Sequence, residues 1–159
     1  MAPPRTSLAY RVTFPFLKAA IQVVMHLLAP LRIEGCGNVP RSGGVLITPN
    51  HLSDCDPFAV TVGLRRRAWH MGKAELFEMP VVGAFCRFCQ TFAVKRGQPD
   101  REALRMAEAL LRAGEAVLVF PEGRLSETGL LQPMYSGVAL LALRTGVPVV
   151  PVGLTGTDS

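Results

Sequence analysis

Charged and aromatic residues are both scarce in this chain. Asp, Glu, Lys and Arg make up 18% of the 159 residues, and Phe, Trp and Tyr make up 7%. Surfaces that bind nucleic acid combine basic segments with aromatic side chains on which bases stack, so the composition argues against a nucleic-acid partner. The mean hydropathy of +0.29 favours contact with a membrane, and the net charge of +5 suits anionic lipid or phosphate-bearing substrates.

Several motifs that would define an enzyme class are absent. The chain contains no G-x-S-x-G elbow, no G-x-x-x-x-G-K loop and no G-x-G-x-x-G turn, which argues against serine hydrolase, nucleotide-binding and Rossmann functions. It also shows no cleavable signal pattern, and its four cysteines are irregularly spaced. We therefore expect reduced thiols in a cytoplasmic setting.

Residues 1–31 are an N-terminal segment whose apolar stretch, Phe14–Leu31, is interrupted by polar residues at regular intervals. Three polar side chains repeat every four residues and therefore share one stripe of a helix: Lys18, Gln22 and His26. Together with Pro15, they leave no uninterrupted apolar span long enough for a transmembrane helix. The pattern predicts an amphipathic helix that lies in a membrane interface. A helix packed against the core of the same domain would show the same pattern.

Residues 32–159 follow the pattern of one α/β domain. Five short apolar runs predict strands: Val45–Thr48, Ala68–Met71, Phe92–Val94, Val117–Phe120 and Val147–Leu154. Four helical patterns alternate with them and begin near Asp56, Pro80, Asp100 and Val138. This alternation predicts a mostly parallel sheet with helices on both faces, preceded by the N-terminal amphipathic segment. Because the chain ends soon after the fifth strand, we expect it to be truncated at its C-terminus.

His51 and Asp56 lie in the loop between the first predicted strand and the first predicted helix. Asp56 followed by Pro57 is typical of a helix N-cap and a first helical position. A spacing of five residues is too long for neighbours on a helix, so the pair has to meet across a turn. There Asp56 would orient the imidazole, and His51 would take a proton from a substrate hydroxyl as a general base. A loop histidine beside a helix cap is the simpler interpretation.

Two further loops carry charged residues at the ends of predicted strands. Glu122, Gly123 and Arg124 follow the fourth strand, and Lys95 and Arg96 follow the third. In a parallel sheet these loops open on the same edge as the His51 loop, where ligands bind. We expect Glu122 to accept a hydrogen bond from a substrate hydroxyl and Gly123 to allow close approach of the ligand. We expect Lys95, Arg96 and Arg124 to bind phosphate. Solvated loop charge is the alternative for each residue taken singly.

Other residues offer weaker candidates for chemistry. Lys73 lies two residues after the second predicted strand and would enter the site by proximity. A metal-dependent hydrolase or transferase would use His51, Asp54 and Asp56, but the other two histidines lie in apolar surroundings that favour a structural role.

The cysteines allow two further interpretations. Cys55 lies near His51 and is a candidate nucleophile. Cys86 and Cys89 form a single C-x-x-C pair inside a helical pattern, which favours buried thiols over a zinc site.

Four short blocks of residues follow one another along the chain. They are Asn50-His51 with Ser53 and Asp56, Val94-Lys95-Arg96-Gly97 with Asp100, Phe120-Pro121-Glu122-Gly123, and Val147-Pro148-Val149-Val150-Pro151-Val152. In this order they resemble the blocks of the PlsC-type glycerolipid acyltransferase family, whose best-known activity is 1-acylglycerol-3-phosphate acyltransferase. The resemblance extends from about residue 32 to residue 157, and it implies that residues 32–159 are an acyltransferase catalytic domain.

The resemblance implies transfer of a fatty acyl group to the hydroxyl of a lysophospholipid, above all 1-acylglycerol-3-phosphate, in phospholipid synthesis. The donor would be a fatty acyl thioester of coenzyme A or of acyl carrier protein, with no metal or other cofactor, at the cytoplasmic face of an anionic membrane. His51 would be the general base and Asp56 its partner, with Ser53 in the same block. A non-catalytic lipid-binding domain of the same fold is the alternative function.

The other blocks imply roles in substrate binding. Arg96 resembles the family's phosphate-binding arginine, Glu122 and Gly123 its acceptor-binding pair, and Pro151 belongs to the block that shapes the acyl-donor side. The family commonly continues Phe-Pro-Glu-Gly with Thr-Arg, whereas Arg124 and a leucine stand here. This departure implies a displaced phosphate contact or a different acceptor headgroup.

Overall fold

A computed structural model describes residues 6–28, 30–95, 97 and 100–157. The helices are α1 (Leu8–Leu28), α2 (Asp56–Gly63), α3 (Pro80–Phe88), α4 (Arg101–Arg112) and α5 (Gly137–Thr145). The strands are β1 (Val45–Pro49), β2 (Trp69–Lys73), β3 (Thr91–Val94), β4 (Ala116–Leu118) and β5 (Val149–Val152). The predicted alternation of strands and helices is confirmed, with element ends that differ by one or two residues.

All five strands are parallel and form one sheet in the order β3-β2-β4-β1-β5. β1 and β4 are neighbours, with Val45 opposite Ala116 and Ile47 opposite Leu118. Parallel strands need crossover connections, which α2, α3, α4 and α5 supply in turn. Because neighbouring strands run in the same direction, the loops after β1 and β4 leave the sheet side by side at its carboxyl edge.

Both faces of the sheet are covered, as predicted. One face packs against α4 and α5 through a cluster of buried residues: Leu46, Val117, Val119, Ala107, Leu110, Leu111 and Leu141. The opposite face packs against α2 and the loop after it through a second cluster: Val45, Ile47, Ala116, Leu118, Val60 and Leu64. Burial on both sides explains why β1 and β4 appear in the sequence as continuous apolar runs instead of alternating patterns.

The N-terminal helix α1 leaves most of its apolar surface exposed. Tyr10 and Met25 are buried, whereas several large apolar side chains face outward: Leu8, Val12, Phe16, Val23, Val24 and Leu27. α1 therefore contacts the domain through one side, and whether its exposed apolar side lies in a membrane interface stays a prediction. Lys18, from the predicted polar stripe, turns toward the domain, where its ammonium donates to the Leu64 carbonyl. By length and composition Leu8–Leu27 is also apolar enough to cross a membrane, which the interrupted pattern did not predict.

Two aspartates at helix starts behave differently. Asp100 caps α4, because its carboxylate accepts hydrogen bonds from the backbone N–H groups of Glu102 and Ala103. Asp56 does not cap α2. It is the first residue of that helix, and Cys55 occupies the N-cap position without a side-chain cap hydrogen bond. The predicted N-cap role of Asp56 is therefore wrong, and its carboxylate is available for the active site.

Candidate active site

His51 and Asp56 meet across the turn between β1 and α2. Nδ1 of His51 lies 2.9 Å from Oδ2 of Asp56. Both residues are buried, with 4% and 0% of their surface exposed. Burial strengthens the interaction, since the surroundings have a low dielectric constant and exclude competing water. The pair therefore has the geometry of a base and its orienting carboxylate.

The Asp56 carboxylate accepts hydrogen bonds on both of its oxygens. The backbone N–H groups of Leu52 and Ser53 donate to Oδ2 at 2.6 and 2.8 Å, beside His51. The Thr157 hydroxyl donates to Oδ1 at 2.6 Å. Burial alone would raise the pKa of Asp56, but the hydrogen bonds from His51, Thr157 and the two amides hold that pKa below its ordinary value. Asp56 is therefore an anion that can accept from Nδ1–H of His51. In the tautomer with its proton on Nδ1, Nε2 is the ring nitrogen that can accept a proton.

The His51 ring is also held from the side and through its backbone. The Phe120 ring stacks on the imidazole, with centroids 3.9 Å apart and planes inclined by 19°. The backbone N–H of Ser126 donates to the His51 carbonyl at 2.8 Å. Both contacts come from the loop after β4, so this loop restricts the orientation of the His51 side chain.

Glu122 is a buried carboxylate that joins two loops. It is only 1% exposed. Oε1 accepts from the backbone N–H of His51 at 3.2 Å, and Oε2 accepts from the backbone N–H of Gln132 at 3.1 Å. Each oxygen has a second lone pair. The predicted contact of Glu122 with a substrate hydroxyl remains a prediction, whereas its link to the His51 backbone is part of the structure.

Gly123 allows an aromatic ring to approach the backbone. Its φ angle is +64°, and a Cβ atom at this position would lie 2.7 Å from the ring of Tyr135. Tyr135 is held there by a hydrogen bond from its backbone N–H to the Pro121 carbonyl at 2.8 Å. Only glycine satisfies both the backbone angle and the close contact.

Three of the four basic residues predicted for the site lie in the described part of the chain, and the fourth does not. Lys95 follows β3, is exposed and lines the cavity described below. Lys73 ends β2 at the same edge and is half-buried. Arg124 is exposed, with Nη2 3.4 Å from Oε1 of Gln132. Arg96, the predicted phosphate-binding arginine, lies outside the described residues, so its position stays a prediction.

Two further predicted residues lie in different settings. Ser53 lies in the loop between β1 and α2. Its backbone N–H donates to Oδ2 of Asp56, and its hydroxyl accepts from the backbone N–H of Cys55 at 3.2 Å. Pro151 is exposed on β5, opposite Thr48 of β1. Ser53 thus contacts the carboxylate directly, whereas Pro151 lies on an edge strand, which tolerates a residue without a backbone N–H.

A cavity of about 260 Å³ lies between the sheet and helices α4 and α5. Its lining is mainly apolar: Met71, Val94, Ala103, Leu104, Val119, Pro121, Val138 and Leu141. Phe120, Gly123 and Tyr135 line it as well. Because Phe120 also stacks on His51, one residue contacts both the cavity and the base.

Sequence reasoning missed this cavity and the role of Thr157. The lining residues recur at core-facing positions of α4 and α5, and core packing produces the same pattern. Thr157 follows β5 at the carboxyl edge of the sheet, as the other site residues follow their strands. A polar residue in that position was the available signal.

The competing sites find little support among the residues the structure describes. No three His, Cys, Asp or Glu side chains in that part of the chain form a group that could hold a metal ion. Burial lowers the pKa of His70 to about 4, so this histidine is neutral, and its Nε2 lies 3.4 Å from the Thr61 hydroxyl. Burial raises the pKa of Cys89 to about 11, which keeps it a thiol.

Comparisons with known proteins assign the chain to a family. The family model described as Acyltransferase matches residues 30–155. A 1-acyl-sn-glycerol-3-phosphate acyltransferase from Bacillus subtilis (strain 168) is 29% identical over 148 residues, which are 92% of this chain and 73% of that protein. A chloroplastic 1-acyl-sn-glycerol-3-phosphate acyltransferase from Brassica napus is 33% identical over 79% of this chain and 37% of its own length.

The fold has a counterpart among solved structures. The crystal structure of the 1-acyl-sn-glycerophosphate acyltransferase PlsC from Thermotoga maritima superposes with a TM-score of 0.78 at 26% identity, over 94% of this chain and 60% of that one. The chain thus spans under two thirds of the solved relative and of the plant relative. The family model, which covers most of this chain, and these relatives lead to one assignment: the chain belongs to the acyltransferase family, and within it to the PlsC type.

Proposed function

We propose that this protein transfers a fatty acyl group from an acyl thioester to the hydroxyl of a lysophospholipid, with 1-acylglycerol-3-phosphate as its acceptor. The observation that carries the proposal is the buried pair of His51 and Asp56. Asp56 occupies Nδ1 of the imidazole, so Nε2 of His51 is the nitrogen that would accept the proton. The relatives named above carry the same activity in their names. A base of this kind acts on a hydroxyl, which is the nucleophile that the reaction requires.

The proposed reaction balances with the groups of this site. Nε2 of His51 takes the proton of the acceptor hydroxyl as its oxygen attacks the thioester carbonyl and forms a C–O bond. The tetrahedral intermediate then collapses, the C–S bond breaks, and the imidazolium returns the proton to the departing thiolate. The anionic Asp56 stabilises the imidazolium between the two steps. No covalent acyl-enzyme is needed, because the thioester is already activated, so Cys55 has no role in this scheme.

Substrate binding follows from the surroundings of the base. We propose that the apolar cavity accepts hydrocarbon, since its lining offers few polar partners. Lys95 and Arg124 are exposed at the same edge and suit the acceptor phosphate, together with Arg96 by its place in the family pattern. The exposed apolar side of α1 suits contact with a membrane, on its cytoplasmic face.

Thiol release tests the proposal directly. The full chain would be assayed in vesicles that contain 1-acylglycerol-3-phosphate. The alternative donors are the acyl thioesters of coenzyme A and of acyl carrier protein. We expect thiol release that requires the acceptor and produces a diacyl phospholipid. Thiol release at the same rate without acceptor would indicate hydrolysis, and acceptor binding without turnover would indicate a lipid-binding domain. Loss of activity with a chelator, restored by a divalent ion, would indicate metal-dependent chemistry.

A glycine pair tests whether Tyr135 has to lie against the backbone of the site. Gly123→Ala and Gly146→Ala both place alanine at a φ angle near +65°, where each should lose about 1 kcal/mol of stability. Only Gly123→Ala also displaces the Tyr135 ring, because the space around Gly146 is open. We expect acyl transfer to fall about 10- to 100-fold in Gly123→Ala and by less than about twofold in Gly146→Ala. Equal losses of turnover in the two variants would contradict this role.

A further inference from the structure

Thr157 contacts the catalytic pair from the far end of the sequence. It follows β5, is half-buried, and donates its hydroxyl proton to Oδ1 of Asp56 at 2.6 Å. The two residues are 101 positions apart in the chain. A hydrogen bond to a buried carboxylate is among the stronger ones in proteins, because the acceptor carries a charge.

The segment that carries Thr157 is bound to the loop between β1 and α2. The Asn50 side chain bonds to Leu154 twice: its Nδ2 donates to the Leu154 carbonyl at 2.9 Å, and its Oδ1 accepts from the Leu154 N–H at 2.6 Å. Asn50 immediately precedes His51. The residue before the base and the residue that contacts its partner are therefore anchored to the same short segment after β5.

The hydroxyl holds the carboxylate in one rotation. The three donors on Oδ2, which are His51 Nδ1 and the two backbone amides, all lie on one side of the Asp56 carboxylate. Thr157 is the donor described for the opposite oxygen, and Asp56 is fully buried, so water cannot easily replace it. Without that hydroxyl, Oδ1 would lose the donor described for it, and the plane of the carboxylate would be held through its other oxygen alone.

We infer that Thr157 is a positioning residue, which acts on the reaction by holding Asp56 in the orientation that His51 requires. The inference rests on the proposed acyl transfer, because it assigns Thr157 to the same base. Thr157 does not contact the reacting atoms in this scheme. Its effect should therefore appear in kcat and in the hydrogen bond between His51 and Asp56, with substrate binding unchanged.

The test compares variants that keep or remove the hydroxyl. Thr157→Val keeps the branched shape, Thr157→Ala is a second variant without the hydroxyl if Val does not fold, and Thr157→Ser keeps the donor. Thr155→Val is the matched control, since Thr155 is exposed in the same segment. We expect kcat to fall about 10- to 100-fold without the hydroxyl, with KM within about twofold, and to stay within about threefold in Thr157→Ser and Thr155→Val.

A proton NMR measurement separates this inference from the proposed function. A proton in a short imidazole–carboxylate hydrogen bond resonates at low field, and His51→Ala identifies the signal of Nδ1–H. We expect the signal to weaken or shift in folded Thr157→Val or Thr157→Ala and to persist in Thr157→Ser. An unchanged signal and kcat without the hydroxyl, or no recovery in Thr157→Ser, would overturn the inference. If wild-type protein transferred no acyl groups but the signal still depended on the hydroxyl, the proposed function would fail and the positioning of Asp56 by Thr157 would stand.

Discussion

Replacing His51 with alanine is expected to reduce acyl transfer about 100- to 10,000-fold while the protein remains folded. The size of the effect is that of a general base in a proton-transfer step. The fold should survive, because Asp56 keeps the backbone N–H groups of Leu52 and Ser53 and the hydroxyl of Thr157 as donors. Turnover is measured by thiol release with 1-acylglycerol-3-phosphate, and folding by thermal unfolding followed with circular dichroism.

Free imidazole supplies the control for the His51 variant. The deleted side chain leaves a space beside the Phe120 ring, where added imidazole can take the place of the missing base. Partial recovery of turnover in His51→Ala, with no such gain in the wild type, would attribute the loss to the base itself. Turnover within about tenfold of the wild type, in a folded variant, would remove His51 from the mechanism.

Asp56→Asn is expected to have an effect of similar size, about 100- to 10,000-fold in kcat. The amide removes the negative charge that stabilises the imidazolium. Both oxygens of Asp56 accept hydrogen bonds, whereas the amide of asparagine has an NH₂ group in place of one oxygen. The donors that now contact that oxygen would then face a second donor. The His51 ring therefore loses its charge partner in either orientation of the amide, and it also loses its tautomer where the NH₂ group faces Nδ1. Some loss of stability is expected too, since a buried donor without an acceptor costs about 1–3 kcal/mol.

Asp54→Asn is the matched control for this second variant. Asp54 lies two residues away in the same loop but is exposed. The same change there should alter kcat by less than about twofold. A comparable loss in both variants would mean that general loop charge, and not the buried carboxylate, supports the reaction. Retention of wild-type turnover in Asp56→Asn would exclude an anionic partner for His51.

Much of the fold could be predicted because packing leaves a mark on the sequence. β1 and β4 are buried on both faces, which appears as continuous apolar runs, and α4 begins at an aspartate that does cap it. The helix connections of parallel strands then require loops such as those of His51 and Glu122 to share one edge. The sequence alone therefore predicts which loops lie at the carboxyl edge of the sheet.

Other features could not be predicted, for identifiable physical reasons. An aspartate before a proline at a helix start suits both an N-cap and a loop-facing carboxylate, and Asp56 takes the second role. Lys18 belongs to a polar stripe, yet the carbonyl that it meets belongs to Leu64 of the folded domain. Thr157 and the cavity depend on contacts across many residues, which local periodicity does not report. The donor carrier and the role of Arg96 remain proposals.

The hydrogen bonds from the segment after β5 have a consequence for how the enzyme matures during synthesis. Asn50 pairs with Leu154 and Asp56 with Thr157, at separations of 104 and 101 residues. Contacts this distant in sequence form late, because a long loop has to close first. A nascent chain on the ribosome would carry His51 and Asp56 long before Leu154 and Thr157 emerge. The hydrogen bonds that anchor Asn50 and Asp56 should therefore form together with the docking of β5.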